Sequence, residues 1–292
     1  MLRLGVDLGG TKIEAVILRM PSEIVARVRR PTEADRGYEH VIDNVLAAIA
    51  DVTREAGLGE VPTIGVGMPG SVTREGLIKN SNTTCLNGRP FRAELAARLG
   101  RPIAFANDAN CFALAEATLG QAQGDVVFGV IMGTGVGGGV VLHGRAWDGA
   151  QGIAGEWGHV VLDPVSGLPC YCGKRGCIET YLCGPAIERR YAARSGVPRK
   201  LIEIAARRAE DEAARDTLAE VIETFGRALS IVIDVLDPDV VVLGGGVSNL
   251  SLLYEEGVAS VARWVFNDEL RTRIVRNSLG DSAGVLGAAL LT

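Results

Sequence analysis

The sequence predicts an α/β protein of two lobes, and three observations predict it. Residues 2–18 and 126–142 each read as strand, glycine-rich turn and strand. Residues 239–249 read as a buried strand, three consecutive glycines and the start of a helix. With 292 residues, 47% of them apolar and 22% charged, the chain is long enough for a large core shared by two cooperating lobes.

The elements follow in order. Residues 2–7 alternate as a half-buried strand does, 13–18 form a second apolar run, and Gly9-Gly10 between them suits a tight hairpin. A third strand is expected at 23–29. Over 38–56, Val41, Val45, Leu46, Ile49 and Val52 fall at helical spacing, and Gly57 stops the run. Strands are expected at 63–66 and 102–106, with helices at 91–99 and 109–117. Gly120 and Gly124 mark a hinge near 117–125. After the second pair of strands, Leu218, Val221, Ile222, Phe225, Leu229 and Ile233 share one face of a long helix. It leads into the strand at 239–243, and Ser248 or Asn249 is expected to cap the helix that follows.

Composition removes several classes of function. A net charge of −5 gives no pull towards nucleic acid or an anionic membrane. Residues 1–6 show no basic stretch followed by an apolar core, and runs such as 126–132 fall far short of the ~20 residues that span a bilayer. The expectation is a cytoplasmic protein. Of six cysteines, Cys170, Cys172 and Cys177 are crowded together, which points to metal rather than disulfides. Cys85, Cys111 and Cys183 read as small packed side chains.

Asp7-Leu8-Gly9-Gly10-Thr11-Lys12 offers unobstructed backbone N–H groups, a hydroxyl, an ammonium and a carboxylate, the parts of an anion cradle. A plain Gly-Gly hairpin is the competing reading. Gly133-Thr134-Gly135-Val136-Gly137-Gly138-Gly139 formally satisfies G-x-G-x-x-G, yet Val140-Val141-Leu142 continues as a strand where a dinucleotide fingerprint opens a helix. There is no G-x-x-x-x-G-K-[ST] either. What remains is a nucleotide cleft lined by two hairpin turns, one per lobe, with Gly244, Gly245 and Gly246 near the nucleoside.

His159, Cys170, Cys172 and Cys177 follow H-x10-C-x-C-x4-C, four ligands for a closed tetrahedral zinc site. A core histidine and redox thiols are the alternatives. Asp108, beside Asn107 at a strand end, is placed either as a functional carboxylate or as a helix cap. Glu156 and Glu179 flank the zinc ligands and otherwise read as surface charge.

These motifs together resemble the ROK (repressor, ORF, kinase) sugar kinases of the actin-like ATPase (ribonuclease H-like) fold. The resemblance rests on D-x-G-G-T-K at 7–12, N-D-A-N at 107–110, G-T-G-x-G-G-G at 133–139 and E-x-G-H at 156–159. It rests further on C-x-C-G-x-x-G-C-x-E at 170–179 and D-P-D-x-[IV]-x-L-G-G-G at 237–246. The resemblance implies a kinase that moves the γ-phosphate of ATP, with Mg²⁺, to a hexose hydroxyl, with zinc as a structural ion. Asp108 matches the catalytic base. Asn82, Asn107, Glu156, His159 and Glu179 match sugar ligands, His159 giving one ring nitrogen to zinc and the other to the sugar. Gly5, Asp7, Gly9, Gly10, Thr11, Lys12, Gly133, Thr134, Gly135, Gly137, Gly244 and Gly245 match the ATP contacts. A small lobe at 1–118 joined by a C-terminal helix at 281–292, a large lobe at 119–280 and a homodimer are expected.

Within the family, the loop at 79–88 and Cys170-Tyr171-Cys172-Gly173-Lys174 look like the fructokinase branch, so fructose is the expected sugar. Thr83 and Leu86 are expected to crowd out an N-acetyl group. Residues 107–116 and 133–140 are equally similar to N-acetylglucosamine kinases, which with mannose and glucose kinases form the alternative. Family repressors carry a helix-turn-helix ahead of D-x-G-G-T-K, and here that motif begins at Asp7, so no DNA-binding module is expected. An inactive sugar sensor is the rival from another class.

Overall fold

A computed structural model describes residues 1–60 and 63–292. Strands β1 (Leu2–Leu8) and β2 (Lys12–Arg19) pair antiparallel from Leu2 opposite Arg19 to Leu8 opposite Ile13, and β3 (Glu23–Pro31) extends the meander. Helix α1 (Tyr38–Glu55) lays Val41, Val45 and Val52 against it, all fully buried. Strand β4 (Ile64–Met68) is buried throughout, and a short hairpin of β5 (Ser71–Val72) and β6 (Ile78–Lys79) follows. Helix α2 (Phe91–Leu99) ends at Gly100 in the left-handed region. Strand β7 (Ala104–Asn107) then runs directly into α3 (Asp108–Thr118). Because β1, β4 and β7 are parallel, the first sheet has the order β3-β2-β1-β4-β7.

The order then repeats. Strands β8 (Val126–Met132) and β9 (Val136–Leu142) are joined by three residues, and β10 (Arg145–Ala146) pairs back on β9. Helices α4 (Glu179–Leu182), α5 (Gly184–Ser195), α6 (Leu201–Ala206) and α7 (Glu212–Leu236) precede β11 (Val240–Gly244). Helix α8 (Glu256–Trp264), β12 (Arg273–Arg276) and α9 (Ala283–Leu290) complete the chain. The second sheet reads β10-β9-β8-β11-β12, with β8, β11 and β12 parallel. Both sheets are thus a three-strand meander extended by two parallel strands.

Two compact units result: Met1–Gln123 with Gly139–Gly155 and Ser278–Thr292, and Gly124–Gly138 with Glu156–Asn277. The division differs from a break after 118 because the far half of β9 packs on the start of α3. A Cβ at Gly139 would collide with the backbone of Ala109 and Asn110. In the first unit, α9 is made of small residues for a reason. Any Cβ at Gly5 or Gly65 would run into α9 backbone, and one at Gly287 into Cys111. Helix packing by itself therefore accounts for the glycine at position 5. Fully buried Glu116 ties α3 to the returning chain, accepting from Ser278 N at 2.8 Å, Ser278 Oγ at 2.9 Å and Leu279 N at 2.8 Å.

In the second unit, the apolar stripe of α7 is buried where it meets α5 and α8. Asp211 caps α7, accepting from Ala214 N at 3.1 Å. The cap expected from Ser248 or Asn249 is not made. Both lie in a short turn, Gly246–Asn249, where the Ser248 hydroxyl donates back to Gly245 O at 2.7 Å, and α8 starts only at Glu256. Among the described residues no helix is long and apolar enough to cross a membrane.

Candidate functional site

In the first unit the β1–β2 turn is closed by Gly9 N–H donating to Lys12 O at 2.9 Å. Thr32 fixes it from outside: its hydroxyl donates to Gly9 O at 2.7 Å and its N–H to Thr11 O at 3.0 Å. Gly10, Thr11 and Lys12 are left exposed. Asn82, also exposed, borders the turn, its Oδ1 3.6 Å from where a Gly10 Cβ would stand. Lys12 Nζ lies 3.6 Å from buried Glu14, which also receives Arg27 at 3.2 Å and Arg29 at 2.9 Å. At the end of β1, burial pushes the Asp7 carboxyl up to about 7, helped by the charges of Asp108 and Glu14 and opposed by Lys12.

Asn107, not Asp108, caps α3. Its Oδ1 accepts from Ala109 N at 2.8 Å and its Nδ2 donates to Gly70 O at 2.9 Å. Asp108 is the first helical residue, its Oδ1 accepting from Ala109 N at 2.9 Å. The cap reading of Asp108 is thereby removed, and Asn107 spends much of its amide on the backbone. One turn on, buried Asn110 donates to Asp148 Oδ1 at 2.9 Å, a pair the sequence did not flag. Beneath them the thiol of Cys111 is pushed well up by burial and by the charges of Asp7, Asp108 and Asp148.

In the second unit the β8–β9 turn is held from several sides. Gly133 N–H donates to Gly135 O at 2.9 Å, and Gly184 N–H, where α5 begins, to Gly133 O at 2.8 Å. Glu179 Oε2 accepts from Val136 N at 2.9 Å. Trp157 Nε1 donates to Gly137 O at 2.8 Å, while its ring stands edge-on to Phe128. A cavity of about 740 Å³ opens beside Gly133 and Thr134, walled by Pro185, Leu201, Val247 and Leu250 and edged by Glu188, Lys200 and Arg208. Gly246 lines this cavity. Gly244 instead ends β11, and Gly245, at φ 80°, sits against the backbone of Met132. Helices α5 and α6, which build one wall, were not foreseen, although Pro185 and Gly196 mark the ends of α5 in the usual way.

The ligand atoms of His159, Cys170, Cys172 and Cys177 all lie within 4.8 Å of one another. Cys170 Sγ stands 3.6 Å from His159 Nδ1, and Cys172 Sγ 3.6 Å from Cys177 Sγ. Zinc–sulfur bonds of about 2.3 Å at tetrahedral angles separate two sulfurs by about 3.8 Å, so this donor set fits zinc. Gly173 and Gly176 supply left-handed bends at φ 87° and 68°, and Ile178 N–H donates to Val160 O at 3.0 Å, holding the two arms together. With Nδ1 facing the thiols, His159 presents Nε2 outward, where the Tyr171 hydroxyl meets it at 2.9 Å. The second ring nitrogen thus faces Tyr171 rather than standing open to a sugar. Tyr171 is 77% exposed. Its hydroxyl is pushed up to about 12 by desolvation and by the charges of Glu179 and Glu156, so it stands in the field of both carboxylates.

Two sheets of one strand order, each opening on a glycine-turned hairpin, with Asp108 at a helix start in one unit and a Cys₃His loop in the other, define an actin-like ATPase of the sugar-kinase class. The chain belongs to the ROK family, whose family model matches residues 3–292. It is 38% identical over 303 aligned positions to the N-acetyl-D-glucosamine kinase of Vibrio parahaemolyticus, covering 98% of each chain. Among solved structures it is similar to the ROK hexokinase of Thermus thermophilus, with 36% identity, a TM-score of 0.90 and coverage of 100% of this chain and 98% of that one. It is also similar to a ROK family glucokinase from Streptomyces griseus in complex with glucose and AMPPNP, with 29% identity, a TM-score of 0.81 and coverage of 100% and 99%.

Proposed function

We propose that this chain is an ATP-dependent kinase whose preferred acceptor is N-acetyl-D-glucosamine. The observation that carries the sugar is the run of relatives named N-acetyl-D-glucosamine kinase, 36–38% identical over 98% of both chains. Phosphoryl transfer asks a protein for alignment, a base and charge neutralisation, and little covalent chemistry. Asp108 takes the proton of the acceptor hydroxyl as that oxygen attacks the γ-phosphorus and ADP leaves with the bridging oxygen. Asp7 holds the Mg²⁺ that arrives with ATP, and the turns at Gly9–Lys12 and Gly133–Gly135 bind its phosphates. The apolar cavity beside Thr134 takes the nucleoside. Asn82, Asn107, Glu156 and Glu179 hold sugar hydroxyls, while His159 turns its two ring nitrogens to the thiols and to Tyr171. His159, Cys170, Cys172 and Cys177 would hold a zinc ion that keeps the loop bearing Glu156 and Glu179 in place, and order of that kind around a site commonly decides its precision.

Fructose is the second reading, favoured by the short polar side chains of the loop at 80–87. The steric case for it is weak. Leu86 is 0% exposed within the main core, so it does not fill a pocket that an N-acetyl group would need. Asn87 is also committed, its side chain bonding both Ser81 N and Ser81 O at 2.9 Å. The test is kcat/KM for N-acetylglucosamine, fructose, mannose and glucose under identical conditions. N-acetylglucosamine is expected to lead, and a higher value for fructose overturns the assignment of the sugar while leaving the kinase.

A further inference from the structure

Glu179 is a carboxylate that the proposed function places on the acceptor sugar, yet one of its oxygens is spent elsewhere. Oε2 accepts the N–H of Val136 at 2.9 Å, on the turn assigned to the phosphate donor. The contact has no slack, for a Cβ at Gly135 would stand 2.7 Å from the same oxygen. Glu179 opens α4 two residues after Cys177, so the Cys₃His loop sets its place from one side. Five residues on, Gly184 N–H holds Gly133 O at 2.8 Å. The segment 177–184 therefore grips the turn at both ends, by Val136 and by Gly133.

We propose that Glu179 is a positioning residue for the phosphate-donor turn, linking nucleotide binding to the Cys₃His loop and to the acceptor sugar. The inference rests on the kinase reading. A carboxylate whose Oε1 is fixed by a sugar hydroxyl loses rotamer freedom, and Oε2 then holds Val136 in one place. The Gly133–Gly135 amides are in turn held ready for phosphate. Such coupling is reciprocal by thermodynamic necessity, so sugar tightens nucleotide as much as nucleotide tightens sugar.

The test is calorimetric binding of Mg·ADP to the full chain, with and without N-acetylglucosamine, with zinc content measured alongside. E179A is expected to weaken Mg·ADP at least about fivefold without any sugar present and to abolish tightening by the sugar, the lower end of typical coupling. E179Q keeps an acceptor oxygen for Val136 and is expected to hold Mg·ADP within about twofold while losing sugar affinity. Gly135→Ala displaces the turn from Glu179 without touching the loop, and its loss combined with E179A should be less than additive, as for two changes that break one contact. Wild-type Mg·ADP affinity in E179A, or additive losses in the double variant, overturns the coupling alone. A wild-type chain that binds no Mg·ADP overturns the kinase reading and the coupling with it.

Discussion

The turn Gly9–Lys12 and the turn Gly133–Gly135 join corresponding strands of two sheets with one strand order, but the carboxylate beside each comes from a different place. In the first unit it is Asp7, on the strand that enters the turn, half-buried and pushed up to about 7 by desolvation. In the second it is Glu179, which reaches in from the Cys₃His loop and accepts a turn N–H at 2.9 Å. A carboxylate built into a strand is fixed by the sheet and bears the cost of burial. One supplied by a loop needs the loop to be held, and four possible metal ligands cluster within 4.8 Å in that loop. The repeated architecture thus carries unlike devices, a strand carboxylate beside one turn and a carboxylate from the Cys₃His loop beside the other.

The largest break in this comparison comes from the loop. Cys172→Ser is expected to lose zinc and essentially all activity, since structural zinc binding is coupled to local folding, and Glu156 and Glu179 lose their frame. Metal analysis and a kinase assay check it; full activity in a zinc-free preparation contradicts it.

Asp7 sharpens the other side. Its carboxyl has an ordinary value of 3.8 and stands at about 7 in the folded chain. Stability from this group is complete below pH 3.8, falls as pH rises towards 7 and is level above that. Asp7→Asn removes the titration, so at pH 8 the ligand-free variant should be more stable by on the order of 2–4 kcal/mol, with little gain below pH 4. Activity should be lost together with the Mg²⁺ ligand. Denaturant unfolding at both pH values decides, and a variant no more stable at pH 8 than wild type would show that Asp7 is not strained by burial.

Glu116 tests whether a buried carboxylate with full partners behaves differently from Asp7. It accepts three hydrogen bonds from Ser278 and Leu279, so Glu116→Ala should cost about 2–3 kcal/mol by stranding those donors. A loss below about 0.5 kcal/mol in unfolding experiments would mean the returning chain is held by α9 alone. The smallest effect is expected at Tyr171. Tyr171→Phe removes one exposed hydrogen bond to His159, worth about 0.5–1.5 kcal/mol at most. Zinc should stay and the sugar KM should move only a few-fold; loss of zinc would make Tyr171 part of the metal site's support.

Much of this was legible in the residues. The hairpin strands announced themselves by alternation about Gly-Gly, α2 was bounded as observed, and the Cys₃His set assembled as its spacing required. Other features had no unique signature. A glycine permits close approach by a helix as well as by a phosphate, and the sequence did not show that Gly5 meets α9. Leu86, in a polar loop, gave no sign that it points into the core. The exchange of Asn107 for Asp108 as the cap turns on a one-residue helix boundary. Helix α5 interleaves Arg, Ala and Glu with few large apolar residues and α6 is only six residues long, too little periodicity to show the wall of the cavity.

The division of labour between the units stands most directly on Asp108. Asp108→Asn preserves size and can still accept the Ala109 N–H, which wild-type Oδ1 receives at 2.9 Å, but it has no carboxylate to take a proton. The measurement is kcat alongside the dissociation constant of N-acetylglucosamine for the variant and the wild type. A general base contributes about 10²–10⁴ in rate, so kcat should fall by that much with sugar affinity nearly unchanged. A fall in kcat of less than about tenfold, or a loss confined to sugar affinity, would contradict the account.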